Sequence, residues 1–228
     1  MSDAVKSRTL NIVLPAIFAS LAVFMTLANI VFTFPILPYL RFELAEIPVV
    51  IVFLIMGPVP GLTSAGIYWA ILNLVGEWVP IGPAMKFLSL APTLVGLWIG
   101  ISLYHRFFKG RKFGMATLGL GISFAIIARV IVTSLVNFVL LWYLFPSFLD
   151  IAVGSLTATL GLNISSPTAA LLLTLLFTAI FNILHTFLSL LPSYMVVKTV
   201  AQVKIAGLGD LWIDKAVISS SPRYPDND

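Results

Sequence analysis

Long apolar runs, broken at intervals by short clusters of Pro, Gly or charged residues, dominate the chain. Runs near 10–33, 46–62, 63–79, 84–104, 114–145 and 168–197 read as membrane-crossing helices, since about 20 apolar residues span the hydrocarbon core. The pattern therefore predicts an all-α integral membrane protein, a compact bundle of six transmembrane helices. It forms one domain over 1–204, with a cytoplasmic tail over 205–228. The first run, from Thr9, lacks a small-residue cleavage site and passes straight into a loop, so it reads as a retained helix rather than a signal peptide.

The breaks carry their own information. Segment 35–48 places Pro35, Pro38 and Pro48 among Arg41, Glu43 and Glu46, which predicts a structured loop and not a further span. Gly57-Pro58-Val59-Pro60-Gly61 marks a tight turn between two short apolar segments. The run over 113–145 is too long for one untilted helix, and 146–167 reads as interfacial. With the 35–48 loop it is expected to cap one membrane face.

Composition changes the picture mainly by naming the solvent. Hydrophobic residues make up 60% of the chain and charged residues 10%, with mean hydropathy +1.07, against about 25% charged in soluble domains. Lipid must solvate so apolar a surface, and 228 residues filled by six spans leave no room for an ATPase or catalytic domain. With no cysteine, disulfides and thiolate metal sites drop out. The net charge of +4 is explained by topology and not by nucleic acid. Lys6, Arg8, Arg106, Lys109, Arg111, Lys112, Lys198, Lys204, Lys215 and Arg223 gather on one side of the spans, while Arg41 and Lys86 fall on the other. By the positive-inside rule both termini are cytoplasmic, and the 35–48 and 146–167 segments lie outside.

Polar side chains at membrane depth are costly and mark candidate sites. On the last helix Asn182, His185, Ser189 and Ser193 fall on one stripe; on the fifth, Arg129, Thr133 and Asn137 do the same. The serines and Thr133 suit helix–helix hydrogen bonds. Asn137, Asn182 and His185 offer the mixed donors and acceptors that a neutral, polyhydroxylated ligand needs. Arg129 cannot shed its charge, and Glu43, Glu46, Glu77 and Asp150 are its possible counter-ions; structural and functional roles both fit it. Ala16 and Ser20, with Ala19 and Ala22 beside them, form a small-residue face on the first helix. Tyr39, Trp142 and Tyr143 sit near the expected mouth, where a flat ring can stack. His105, among basic residues, reads as a surface side chain. Enzyme signatures of the GxxxxGK[ST], HExxH and GxSxG types are missing, so neither catalysis, a metal site nor a bound cofactor is expected.

Three segments resemble the substrate-binding S components of energy-coupling factor (ECF) vitamin importers, most of all the riboflavin-binding RibU group. Pro35, Pro38, Tyr39, Leu40, Arg41, Glu43, Glu46, Ile47 and Pro48 are similar to that family's P-x-x-P-[YF]-L-[KR]-x-[DE]-x-x-[DE]-[IL]-P, followed by G-P-x-x-G at Gly57, Pro58 and Gly61. Arg129, Val130, Val132 and Asn137 resemble its R-V-x-V-x-x-x-x-N. Phe181, Asn182 and His185 resemble its F-N-x-x-K, with histidine in place of lysine. The resemblance implies a plasma-membrane subunit that takes riboflavin from outside. It then topples against a transmembrane coupling subunit and releases the vitamin inside, driven by two cytoplasmic ATPases. It also implies that Asn137, Asn182 and His185 hydrogen-bond the vitamin, that Leu37, Tyr39 and Leu40 of the first loop pack at its ring, and that Ala16 and Ser20 meet the coupling subunit. His185 leaves ligand identity open among riboflavin, thiamin, biotin, folate and a queuosine precursor. A ligand-free membrane scaffold and an intramembrane enzyme are the readings from other classes, and neither accounts for the 35–48 pattern.

Overall fold

The structure, a computed structural model, describes residues 3–108, 114–203 and 211–212. Seven α-helices and one small hairpin are present among them: α1 (Asp3–Leu27), β1 (Val31–Thr33), β2 (Arg41–Glu43), α2 (Glu46–Met56), α3 (Pro58–Val75), α4 (Ile81–Phe107), α5 (Met115–Val139), α6 (Ser147–Leu160) and α7 (Pro167–Val203). Four stretches are long and apolar enough to cross a membrane, Thr9–Leu27, Ile81–Phe107, Met115–Leu144 and Pro167–Val200. The expected six crossings thus become seven helices, four of them membrane-capable.

The departures have local causes. α1 stops at Leu27, short of the expected 33, because Asn29 adopts φ 51°, the left-handed geometry that ends helices and that asparagine tolerates. The next residues pair antiparallel, Val31 with Glu43, Phe32 with Phe42 and Thr33 with Arg41, so the 35–48 segment contains the turn and second strand of a hairpin. α2 has 11 residues, about 16 Å at the helical rise and too short to cross. Gly57 ends it at φ 101° and Pro58 starts α3, a position where proline's missing N–H costs nothing. Residues 48–54 of α2 are all buried, as expected for a helix apolar all round. The long fifth run stays continuous by widening into a π-helical turn, Leu140–Leu144. The interfacial segment is the helix α6, whose Ala152 and Leu156 cover Leu37 and Phe181.

α3, α4, α5, α7 and α2 pack in sequence around a closed ring, with α1 against α2 and α3. The tightest seam is α4 on α5. A Cβ on Gly100 would lie 2.7 Å from the Gly121 Cα, and one on Gly96 would lie 2.8 Å from the Ala125 Cα, so these glycines let the backbones touch. Ala19 and Ala22 of α1 are buried in the main core, whereas Ser20 is exposed and Ala16 half-buried. His105 is buried at 4% exposure, contrary to the surface placement, with neither ring nitrogen hydrogen-bonded among the described residues. Helical phase puts it on the inner face of α4 with Ile101 and Tyr104, whatever its charged neighbours. Lys109, Arg111, Lys112 and most of the 205–228 tail lie outside the described residues. Leu211 and Trp212 are the exception: Leu211 joins the core, and Trp212 packs edge-on to Phe53 at 5.4 Å.

Candidate functional site

A cavity of about 680 Å³ opens at one end of the bundle, among the C-terminal ends of α1, α3 and α5, the start of α4, and α7. Its volume falls within the usual range for small-molecule sites. The β1–β2 hairpin forms one side, through Tyr39, Leu40, Arg41 and Glu43. Apolar and aromatic wall comes from Tyr68, Leu72, Trp78, Phe148, Ile151 and Phe181. At the hairpin, partial desolvation pushes the Tyr39 phenol up to about 12.

The polar floor is organised by Arg129, 1% exposed. A guanidinium has five N–H donors and no acceptor, and this one has five protein acceptors. Nε donates to Asn182 Oδ1 at 2.8 Å. Nη1 donates to Glu46 Oε2 at 2.8 Å and to Thr93 Oγ1 at 3.4 Å. Nη2 donates to Glu46 Oε1 at 2.9 Å and faces His185 Nδ1 at 3.1 Å. Glu46 is thus the counter-ion among the four candidates, held in a two-pronged fork. Ser189 adds a donor to its Oε2 at 2.7 Å. Burying such a pair is tolerable only when the remaining donors and acceptors are met, and here they are. Arg129 borders the cavity with nothing left to give a ligand.

Each expected residue has a definite place. Asn137 and Asn182 both border the cavity. Asn137 donates one amide hydrogen to Thr133 O of its own helix at 2.8 Å, which leaves its Oδ1 without a partner among the described residues. Asn182 donates to Thr178 O at 2.9 Å and keeps a second amide hydrogen. His185 borders the cavity with both ring nitrogens already committed to the protein, Nδ1 at Arg129 and Nε2 at Glu43 O, 3.0 Å away. Tyr39 and Leu40 line the wall, but Leu37 does not: it is fully buried among Phe34, Ala152, Leu156 and Phe181. Trp142 and Tyr143 are likewise absent from the wall. Trp78 and Phe148 line it instead and meet edge-on at 6.3 Å. The Ser193 hydroxyl faces Ser189 O of its own helix at 2.6 Å and Ile47 O of α2 at 3.2 Å, whereas Thr133 bonds back to Arg129 O within α5 at 2.8 Å and borders the cavity.

Sequence reading overlooked Lys86 as a site residue. It pairs with Glu43 across the cavity edge, and Arg41 pairs with Glu77 at 3.7 Å. The only advance signal for Lys86 was its being a lone cation in an apolar run.

No family model matches the sequence, and no curated protein matches it. A solved structure of the S component of a bacterial ECF transporter is similar to it, with a TM-score of 0.61 and 19% sequence identity over 86% of this chain and 98% of that one. At that identity the likeness shows the fold: this bundle has S-component architecture.

Proposed function

We propose that this protein is the substrate-binding subunit of an ECF-type vitamin importer and that its ligand is riboflavin. The observation that carries the reading is the cavity itself, placed at one end of a bundle of S-component architecture, under a hairpin, with aromatic walls and a paired-off floor. Arg41, Lys86 and Arg129 border it, and so do Glu77, Glu43 and Glu46, each pair in ion-pair contact. The bordering formal charges cancel. A neutral ligand fits such a site, whereas a phosphorylated one would meet no uncommitted cation among the described residues. Asn137 Oδ1 and the spare amide hydrogen of Asn182 supply an acceptor and a donor for a polyhydroxylated, ring-bearing molecule. Tyr39, Trp78, Phe148 and Phe181 supply faces and edges for its ring.

In this reading the cavity end faces outward, and a transmembrane coupling subunit with two ATPases takes up the loaded protein and drives release inside. The Ala16/Ser20 side of α1, half-buried at Ala16 and exposed at Ser20, where Ser20 satisfies its hydroxyl on Ala16 O at 2.9 Å, is the face offered to the coupling subunit. Small side chains there let a partner helix approach closely.

The test is purification in detergent from cells grown with riboflavin, followed by the visible absorbance of the protein and the quenching of added riboflavin. Co-purifying flavin, reduced in Asn137→Ala, is the expected result. Colourless protein that also fails to quench riboflavin would overturn the flavin assignment.

A further inference from the structure

His185 has more to do than border the cavity. The Arg129 guanidinium only donates, so Nδ1 of His185, 3.1 Å from Nη2, must present its lone pair. A neutral imidazole with a bare Nδ1 carries its proton on Nε2. That proton decides between two neighbours, the Glu43 carbonyl oxygen at 3.0 Å and the Glu43 amide nitrogen at 3.4 Å. Two donors cannot bond, so the carbonyl is the partner. Glu46 Oε1, 4.0 Å from Nε2, is beyond hydrogen-bond reach.

Glu43 is the last residue of β2, opposite Val31, and this bond ties the hairpin to α7. Around it, Phe42 of the hairpin lies edge-on to the His185 ring at 5.8 Å and over Phe181 at 4.7 Å. A continuous chain therefore runs from the buried Glu46–Arg129 pair through His185 to the backbone of the hairpin.

We propose that His185 is a positioning residue that latches the 31–43 hairpin over the cavity, with its tautomer set by Arg129 and its Nε2–H held by the Glu43 carbonyl. As a device for retaining a ligand the latch rests on the binding reading above, but its geometry and its test require no ligand. Failure of riboflavin to bind would leave it standing, and failure of the latch would leave riboflavin binding intact.

Two measurements decide it. The first uses protein labelled at its two histidines and reads the ring tautomer by nuclear magnetic resonance, with His185→Gln assigning the signals. The expected signal is a neutral ring protonated at Nε2, and protonation at Nδ1 would overturn the proposal. The second follows hydrogen exchange in ligand-free micelles. In His185→Ala the amides of 31–43 should exchange about tenfold faster while α4 and α5 change less than about twofold, the size expected for losing one good hydrogen bond in a locally opening segment. In His185→Gln, whose amide nitrogen can take the place of Nε2–H toward the Glu43 carbonyl, the hairpin should recover a clear part of its protection. Unchanged hairpin exchange in His185→Ala, a rise shared by the whole bundle, loss of folded protein, or a glutamine that behaves like alanine would each overturn it.

Discussion

Arg129 shows how one residue can govern the economy of a membrane-embedded site. Its five donors are matched by Glu46, Asn182, Thr93 and His185, so it organises four side chains from α2, α4 and α7 around one planar fork. Removing one partner of a buried pair strands the other, at about 3–5 kcal/mol, whereas replacing both with apolar groups of similar size costs far less. Arg129→Met and Glu46→Leu should therefore each destabilise strongly, and the double variant should be markedly more stable than their summed effects predict. Unfolding in micelles through a double-mutant cycle measures this, and additivity would sink the account. Asn137 makes the opposite case. Among the described residues its side chain bonds only its own helix, at Thr133 O, so Asn137→Ala should leave thermal stability nearly unchanged while weakening ligand binding about tenfold, the value of one well-made buried hydrogen bond. Titration calorimetry with riboflavin reads the second effect and a melting curve the first; a large loss of stability would make Asn137 a packing residue.

At the scale of elements the decisive seam is α4 on α5, where Gly96 and Gly100 meet Ala125 and Gly121 across nearly touching backbones. Gly100→Ala should destabilise by about 1–3 kcal/mol through overpacking, although alanine is the better helix former. Gly119, on the exposed side of α5 with open space around it, is the control, and Gly119→Ala should be neutral or stabilising by about 0.5–1 kcal/mol. Equal effects at the two positions in a thermal unfolding series would refute the seam. The Gly96/Gly100 spacing is a small-xxx-small pattern plainly visible in the chain, yet the sequence reading placed its small-residue face on α1 alone, because such spacings recur in every bundle and only packing tells which one is used. The prolines and glycines of 35–61 did announce a structured connection and a sharp turn. Their local geometry, a hairpin followed by an 11-residue buried helix, was not legible, because an apolar run reads alike whether lipid or protein surrounds it. Asn182 and Asn137 were legible as cavity residues because uncharged amides inside apolar helices are costly and few. That His185 spends both nitrogens on protein was not, since this depends on where a hairpin more than 140 residues away folds back.

For the whole molecule, one end holds the cavity, the hairpin and α6, and the other holds the α2–α3 elbow at Gly57 and the α4 terminus. Charge distinguishes the ends as well: Arg41 and Lys86 lie at the cavity, while Arg106 and Lys198 lie at the opposite end of α4 and α7. The excess of lysine and arginine in short segments on the elbow side predicts that this side faces the cytoplasm. Because the chain has no cysteine, single reporters can be placed without background. Phe32, on the hairpin and 62% exposed, and Phe107, at the far end of α4 and 71% exposed, are suited to it. With a membrane-impermeant maleimide on intact cells, Phe32→Cys should label directly and Phe107→Cys only after permeabilisation. The reverse pattern would turn the cavity toward the cytoplasm and make the proposed import from outside untenable, because the hairpin and aromatic mouth would then face the compartment into which an importer delivers. The expected pattern puts the mouth of the cavity on the side from which the proposed ligand arrives, with the proposed latch at His185 between that mouth and the buried ion pair beneath it.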